Sequence, residues 1–200
     1  SRSVKIHENI GYSKKSIVCD NGFDTLRYKT NIEMNRRYRN FFKIENDIFV
    51  LGFIARFDLI KNHKLLIDSL KKVLSKNEKI RCFLIGKDIK NNKYLIDILK
   101  SNNIENYFIL LDSKENIHEY MNLLDVHVLT SFGEGFPNVI AESMSCEVIN
   151  ISTNVGESLN IIGNKKLIFE NNSHDLAKLI LKLINMKYEN NIQWNKLRKQ

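Results

Sequence analysis

Residues 48–85 read IFVLGFIARFDLIKNHKLLIDSLKKVLSKNEKIRCFLI. Two apolar runs, Ile48–Ala55 and Ile80–Ile85, flank a segment, His63–Leu74, that places Leu66, Leu70, Val73 and Leu74 on one helical face. A buried strand, an amphipathic helix and a second buried strand at this spacing make one unit of a parallel sheet with a helix against its face.

Downstream the alternation continues. A helix carrying Tyr94, Leu95, Ile98 and Leu99 leads to a strand at Tyr107–Leu111, and a short helix with Ile117, Tyr120, Met121 and Leu124 leads to Val126–Thr130. A helix then runs from about Asn138 to Cys146, Val148–Ile151 and Lys166–Phe169 complete the strands, and Asp175–Ile184 is amphipathic with Ser173 near its start. Six such strands predict an α/β fold, a Rossmann-like doubly wound parallel sheet in the order 3-2-1-4-5-6. Residues 48–200 are expected to form this one domain. Residues 1–47 differ: Ile17-Val18-Cys19 runs into a turn, Asp20-Asn21-Gly22, and then a polar, basic stretch to Asn40, with a helix around Ile32–Phe42. They are expected to be an interdomain connector and the remnant of an N-terminal domain.

Composition limits the functional classes. With 43% hydrophobic and 27% charged residues the chain belongs with soluble globular proteins, and one Pro and eight Gly leave little room for linkers. The apolar runs are too short to cross a bilayer, and Ser1-Arg2-Ser3-Val4-Lys5 has no apolar core, so no signal peptide is expected. Cys19, Cys82 and Cys146 lack paired spacing, which suits thiols in a reducing, cytoplasmic compartment. The net charge of +8 fits a composition-biased genome, phosphorylated ligands, or peripheral contact with an anionic membrane at its inner face. No basic stripe interleaved with aromatics is present, and nucleic acid is not an expected partner.

The assumed strand order places the chemistry. Strands one and four are neighbours whose connections leave in opposite directions, and ligands favour the crevice at their carboxyl ends. Strand one runs into Ala55-Arg56-Phe57-Asp58-Leu59-Ile60-Lys61-Asn62, strand four into Ser131-Phe132-Gly133-Glu134-Gly135-Phe136-Pro137-Asn138. Two cations facing a helix N-terminus suit a nucleoside diphosphate. Arg56 offers a bidentate fork and Lys61 a point charge, while the amides of Phe136, Asn138 and Val139 point at phosphate oxygens. Gly133 and Gly135 are expected to permit a tight turn and leave room for a ligand, and Pro137 to occupy the first helical turn. Glu134 and Glu142 are expected to accept hydrogen bonds from the vicinal hydroxyls of sugar and ribose rings. His127 lies inside a strand, as a core histidine would, and the histidines have no metal-ligand spacing.

On these residues a resemblance can be named. From Ile17 to Gly163 the chain resembles the C-terminal, donor-binding domain of retaining glycosyltransferases of the GT-B fold, family four. The matching pieces are Asn21-Gly22-Phe23-Asp24, Ala55-Arg56 with Lys61, Ile85-Gly86, Asp125-Val126 leading to Ser131, and Glu134-Gly135-Phe136-Pro137-Asn138 through Glu142-Ser143-Met144. The resemblance implies that Arg56 and Lys61 bind the diphosphate of a nucleotide-sugar donor and that Glu134 contacts the transferred sugar. It further implies that Glu142 holds the ribose and that Gly135, Phe136, Pro137 and Asn138 form the loop whose backbone engages phosphate and sugar. It also implies retention of anomeric configuration by front-side attack, with no metal and no cofactor. A sugar or lipid-linked acceptor is implied, in surface polysaccharide or lipopolysaccharide assembly, together with an N-terminal Rossmann-like domain as partner. Without that domain the chain is expected to bind donor weakly and transfer little or nothing.

The sequence departs from the family pattern in places. Glu147 stands where glycine is usual, Lys87-Asp88 replaces the commoner acid-glycine pair, and Asp112 and Asn160 replace Gly and Glu. A positive φ at Glu147 is expected to strain its turn. A non-catalytic nucleotide-sugar-binding or accessory subunit and a sugar-nucleotide epimerase of the same fold remain as alternative functions.

Overall fold

The computed structural model describes residues 2–13, 15, 17, 21–189 and 192–199. In chain order the elements are α1 (Arg2–Asn9), α2 (Ile32–Phe41), β1 (Phe49–Ile54), α3 (His63–Leu74), β2 (Ile80–Ile85), α4 (Lys93–Ser101), β3 (Phe108–Leu111) and α5 (Ile117–Met121). There follow β4 (Val126–Leu129), α6 (Asn138–Ser145), β5 (Ile149–Thr153), α7 (Ser158–Ile162), β6 (Ile168–Phe169), α8 (Ser173–Tyr188) and α9 (Ile192–Arg198). The six strands form one parallel sheet in the order β3-β2-β1-β4-β5-β6, the doubly wound order expected from the alternation.

β1 shows why these sequences make central strands. Phe49, Leu51 and Phe53 enter one hydrophobic core with α3 and α8, whereas Val50 enters a second core on the opposite face. β2 divides in the same way, Cys82 and Leu84 to one side and Phe83 and Ile85 to the other. Burial on both faces accounts for continuous apolar runs in place of polar alternation. Gly52 interrupts the run because a Cβ there would lie 2.2 Å from Leu124 Cδ1. Cys82 and Cys146 are buried free thiols, and desolvation pushes Cys146 up to about 12.

Boundaries differ from the sequence reading by a residue or two, as helix and strand ends do. α8 departs further, running on past Ile184 to Tyr188, and it starts at Ser173 because Asn172 caps it by accepting from the amides of His174 and Asp175. Residues 165–167 form a 3₁₀ turn, leaving only Ile168–Phe169 as strand. α1, α7 and α9 carried too weak a periodicity to be read. Val18, Cys19 and Asp20 lie outside the described residues, and with them most of the Ile17-Val18-Cys19 run and the start of the turn that follows it.

α2 is tied to the second face of the sheet. Asn122 Nδ2 donates to Lys29 O at 3.0 Å, Asn35 Nδ2 donates to Asn122 O at 2.8 Å, and the Tyr38 hydroxyl donates to Glu119 at 2.6 Å. Beneath them Asp125 accepts from the Val50 amide at 2.8 Å and Lys187 Nζ at 2.7 Å, with Arg39 Nη2 at 3.5 Å. This buried carboxylate joins α2, β1 and α8 at the end of the sheet opposite the cleft. Among the described residues, no helix is long and apolar enough to cross a membrane.

Candidate functional site

The loops after β1 and β4 meet. The Phe132 amide donates to Ile60 O at 2.8 Å, and the buried Thr130 hydroxyl donates to Lys61 O and Asn62 O at 2.9 and 3.0 Å. Asn62 takes a left-handed backbone (φ 53°) between a 3₁₀ turn at Leu59–Lys61 and α3, and its side chain caps α3 by accepting from the Leu65 amide. Asn tolerates this region better than most residues. The turn it makes aims Lys61 back across the cleft.

There the Lys61 ammonium lies 2.6 Å from Glu134 Oε1, and Ser131 Oγ donates to the same oxygen at 2.6 Å. Ser131 is itself held by Thr153, whose hydroxyl donates to Ser131 O at 2.7 Å from β5. Arg56 is turned differently. Its guanidinium bonds Asp58 on its own loop at 2.9 and 3.2 Å and is largely exposed, so it stands at the rim of the cleft. The Ile60 amide and then Arg56 hold the Asp58 carboxyl below its ordinary value.

The glycines that close backbone approaches require are not the two the sequence singled out. Neither Gly133 nor Gly135 has a positive φ, and a Cβ would meet only Ile60 Cδ1 at 3.6 Å for the first and nothing for the second. The close approaches fall at Gly156 and Gly86. Gly156 has φ 52° and passes so near the Gly135 and Glu134 carbonyls that a Cβ would sit 2.2 and 2.5 Å away, while the neighbouring Glu157 amide donates to Gly135 O at 3.1 Å. Gly86 approaches Ala55 O within 2.0 Å of a notional Cβ. A third loop, after β5, therefore buttresses the Glu134 loop, and sequence reasoning missed it along with Thr153, while it named Ser131 only as the start of the loop after strand four and assigned it no contact with Glu134. The one available signal was Gly156 itself, directly after an apolar strand.

Pro137 also moves. It caps α6 instead of entering its first turn, with φ −76° and ψ 86°, because its carbonyl already accepts from the Ile140 amide at 3.0 Å. The amides of Phe136, Asn138 and Val139 have no hydrogen-bond partner among the described residues, so the start of α6 offers donors to an anion. Phe136 stacks on Phe23, ring centroids 5.9 Å apart, and Asn21 Nδ2 donates to Asn138 Oδ1 at 2.7 Å. The segment ahead of α2 thus touches the loop.

Glu142, further along α6, faces that segment rather than Lys61. Burial raises its pKa, partly offset by the Tyr28 hydroxyl and by Arg27, while Tyr28 is raised by its own burial and by Glu142. Arg27 is in turn fixed by hydrogen bonds to His118 and to Glu115 O. Tyr28 is a further residue that the sequence reading did not single out.

Two histidines are buried in the body of the domain. His63 begins α3 with its ring against Phe53 and Phe57, centroids 4.6 and 5.4 Å away, and burial lowers its pKa to about 4. His127 is buried in β4, its Nδ1 2.8 Å from Asn150 Oδ1, and desolvation lowers it also to about 4. Asn150 Oδ1 accepts from Ser143 Oγ at 2.7 Å as well, which fits a packing role for His127. Among the described residues no group of three or more His, Cys, Asp or Glu is placed to hold a metal ion.

Comparison with known proteins gives a consistent set of likenesses. The family model described as glycosyl transferases group 1 matches residues 34–200. An uncharacterized glycosyltransferase of Methanocaldococcus jannaschii is 31% identical over 130 residues, covering 65% of this chain and 31% of that protein. A capsular polysaccharide biosynthesis glycosyltransferase of Staphylococcus aureus is 30% identical over 161 residues, covering 78% and 42%. Among solved structures, the Anabaena protein HepE in complex with UDP-glucose superposes with a TM-score of 0.86 at 22% identity, covering 98% of this chain and 55% of that one. The chain spans about a third to a half of the length of these relatives.

Proposed function

The chain belongs to the glycosyl transferases of group 1, and we propose that it is the donor-binding half of a retaining, family-four enzyme that transfers a sugar from a nucleotide-sugar donor to an acceptor. The observation that carries this reading is the Lys61–Glu134 contact, which puts a cation, a carboxylate and the unpaired amides of α6 around one cleft between β1 and β4.

In this reading Lys61 and the free amides of Phe136, Asn138 and Val139 bind the diphosphate, with Arg56 joining from the rim once it leaves Asp58. Glu134 accepts hydrogen bonds from the transferred sugar, and Glu142 from the ribose diol. The acceptor oxygen bonds to the anomeric carbon on the face from which the phosphate oxygen departs, so configuration is retained. The anomeric carbon–oxygen bond to phosphate breaks, the acceptor proton passes to the leaving phosphate, and a nucleoside diphosphate is released. The cations and amides stabilise the charge that builds on it, and no metal is required. An N-terminal Rossmann-like domain supplies the acceptor contacts. The kinship with a capsular polysaccharide enzyme supports a role in surface polysaccharide or lipopolysaccharide assembly, with a sugar or lipid-linked acceptor.

Calorimetric titration with UDP, GDP and ADP, and with their glucose and N-acetylhexosamine conjugates, tests the reading. One base is expected to bind, with further affinity from the sugar that Glu134→Gln removes. Absence of binding by every nucleotide, or a sugar increment untouched by Glu134→Gln, would refute it. Transfer that proceeds fully after metal chelation is the expected result for the complete enzyme.

A further inference from the structure

We propose that the face built by α3, α8 and α9 is the surface by which this chain lies on an anionic lipid bilayer. Two grooves run along that face. One, between α3 and α8, is lined by Lys72, Lys76, His174 and Lys178 over a floor of Ala177 and Leu181. The other, beside α9, carries Lys166, Lys182 and Lys196 over aliphatic side chains such as Leu179 and Leu197. The six lysines are exposed, none is ion-paired among the described residues, and no carboxylate lines either groove. The acids on α3 and α8 themselves are otherwise engaged, Asp68 by Lys64 at 2.5 Å and Asp175 by Asn172 at 2.8 Å.

Lys178 and Lys182 lie four residues apart on the exposed side of α8, and Lys72 on the exposed side of α3 is followed four residues on by Lys76, just past the end of that helix; the other sides of both helices are buried in the core. Like charges at this spacing on α8 repel one another and contribute nothing to packing. An extended negative surface offsets that repulsion, because each lysine close to anionic headgroups is attracted to them. The aliphatic floors suit the glycerol and upper acyl region of lipid. None of the exposed aromatic residues lines either groove, so single-stranded nucleic acid finds no stacking platform there. The face also begins at the rim of the cleft, because Asn62, next to Lys61, donates to Asn171 at 3.2 Å at the foot of α8. A chain docked this way presents its donor cleft beside the bilayer.

Co-sedimentation with phosphatidylcholine vesicles, with and without phosphatidylglycerol, tests the assignment. Binding is expected only with phosphatidylglycerol and is expected to fall with added salt. Lys178→Glu with Lys182→Glu should lower partitioning by more than about tenfold. Arg36→Glu with Lys43→Glu, an equal change of charge at exposed positions in and just after α2, on the other helical layer, should leave it within about twofold. Thermal unfolding of each variant confirms that it is folded. Equal loss from the two pairs would show bulk charge at work and overturn the proposal. So would equal binding to neutral vesicles, no binding to either, or capture of a single-stranded oligonucleotide through the same lysines while anionic vesicles stay bare. Neither pair touches the cleft, so the outcome is independent of whether a nucleotide binds there.

Discussion

The Lys61 ammonium and the Glu134 carboxylate, 73 positions apart in sequence, pair at 2.6 Å with both side chains mostly shielded from water. A pair of this kind is a weak source of net stability, yet breaking it from one side strands a charge. Lys61→Met is therefore expected to destabilise the chain by about 1–3 kcal/mol in urea unfolding, since Ser131 alone remains on Glu134 Oε1. Glu134→Gln added to Lys61→Met should recover part of the loss. Additive losses in the double variant would mean that the two side chains do not interact in solution.

The same contact ranks the two cations for ligand binding. Lys61 already points into the cleft, whereas Arg56 must first leave Asp58. Charge-assisted hydrogen bonds contribute roughly 1.5–3 kcal/mol each. Lys61→Ala is accordingly expected to weaken nucleoside diphosphate binding by about tenfold to a hundredfold, and Arg56→Ala by less. Titration of both variants with the nucleotide that binds the parent chain checks the order. A larger loss from Arg56→Ala would place the diphosphate at the rim.

Stability should fall on mild acidification because of the two buried histidines. His63 and His127 titrate at about 4 in the fold, below the ordinary value near 6.5 for an exposed histidine. Between these values the unfolded chain binds protons that the native chain does not, so the stabilising contribution is complete above about pH 6.5 and is lost as pH falls towards 4. The expected slope is about 1.4 kcal/mol per pH unit for each histidine. His63→Leu should remove one share of it. Neither ring nitrogen of His63 has a hydrogen-bond partner among the described residues, so this variant should lose little stability at pH 7. A slope between pH 5 and 6.5 unchanged in His63→Leu would show that His63 titrates normally.

The strand order and the meeting of the two loops were legible because both follow from period and topology. Two-sided burial of β1 and β2 forces apolar runs, and parallel pairing fixes which loop ends face each other. The contacts that sharpen the site were not legible. Ser131 is an ordinary loop serine in sequence and earns its place only through a 2.6 Å bond to a side chain three residues on. Gly156 supports Glu134 from a third strand, and Tyr28 reaches Glu142 from beyond the first strand, so both depend on tertiary packing. The rotation of Arg56 onto Asp58 is likewise a choice between rotamers that spacing cannot make.

Two positions where the family resemblance led us to expect glycine do keep a glycine-like backbone. Asp88 has φ 62° and Glu147 has φ 57°. Asp visits the left-handed region with some ease, but a long side chain there costs about 1–2 kcal/mol. At Glu147 the backbone is committed: its amide donates to Met144 O at 2.8 Å, the Val148 amide to Ser143 O at 3.0 Å, and Arg198 Nε to Glu147 O at 3.0 Å. All three bonds are to main-chain atoms and survive in glycine, which closes helices in this way. Glu147→Gly therefore relieves the strain, less the added entropy of a glycine in the unfolded chain, for a net gain of about 0.5–1 kcal/mol. The opposite change is available at Gly163, which ends α7 at φ 68° with open space around it, so Gly163→Ala isolates the backbone cost at about 1 kcal/mol lost. Urea midpoints should move up for Glu147→Gly and down for Gly163→Ala, and a fall in both would mean that the Glu147 side chain contributes more than its backbone strain costs.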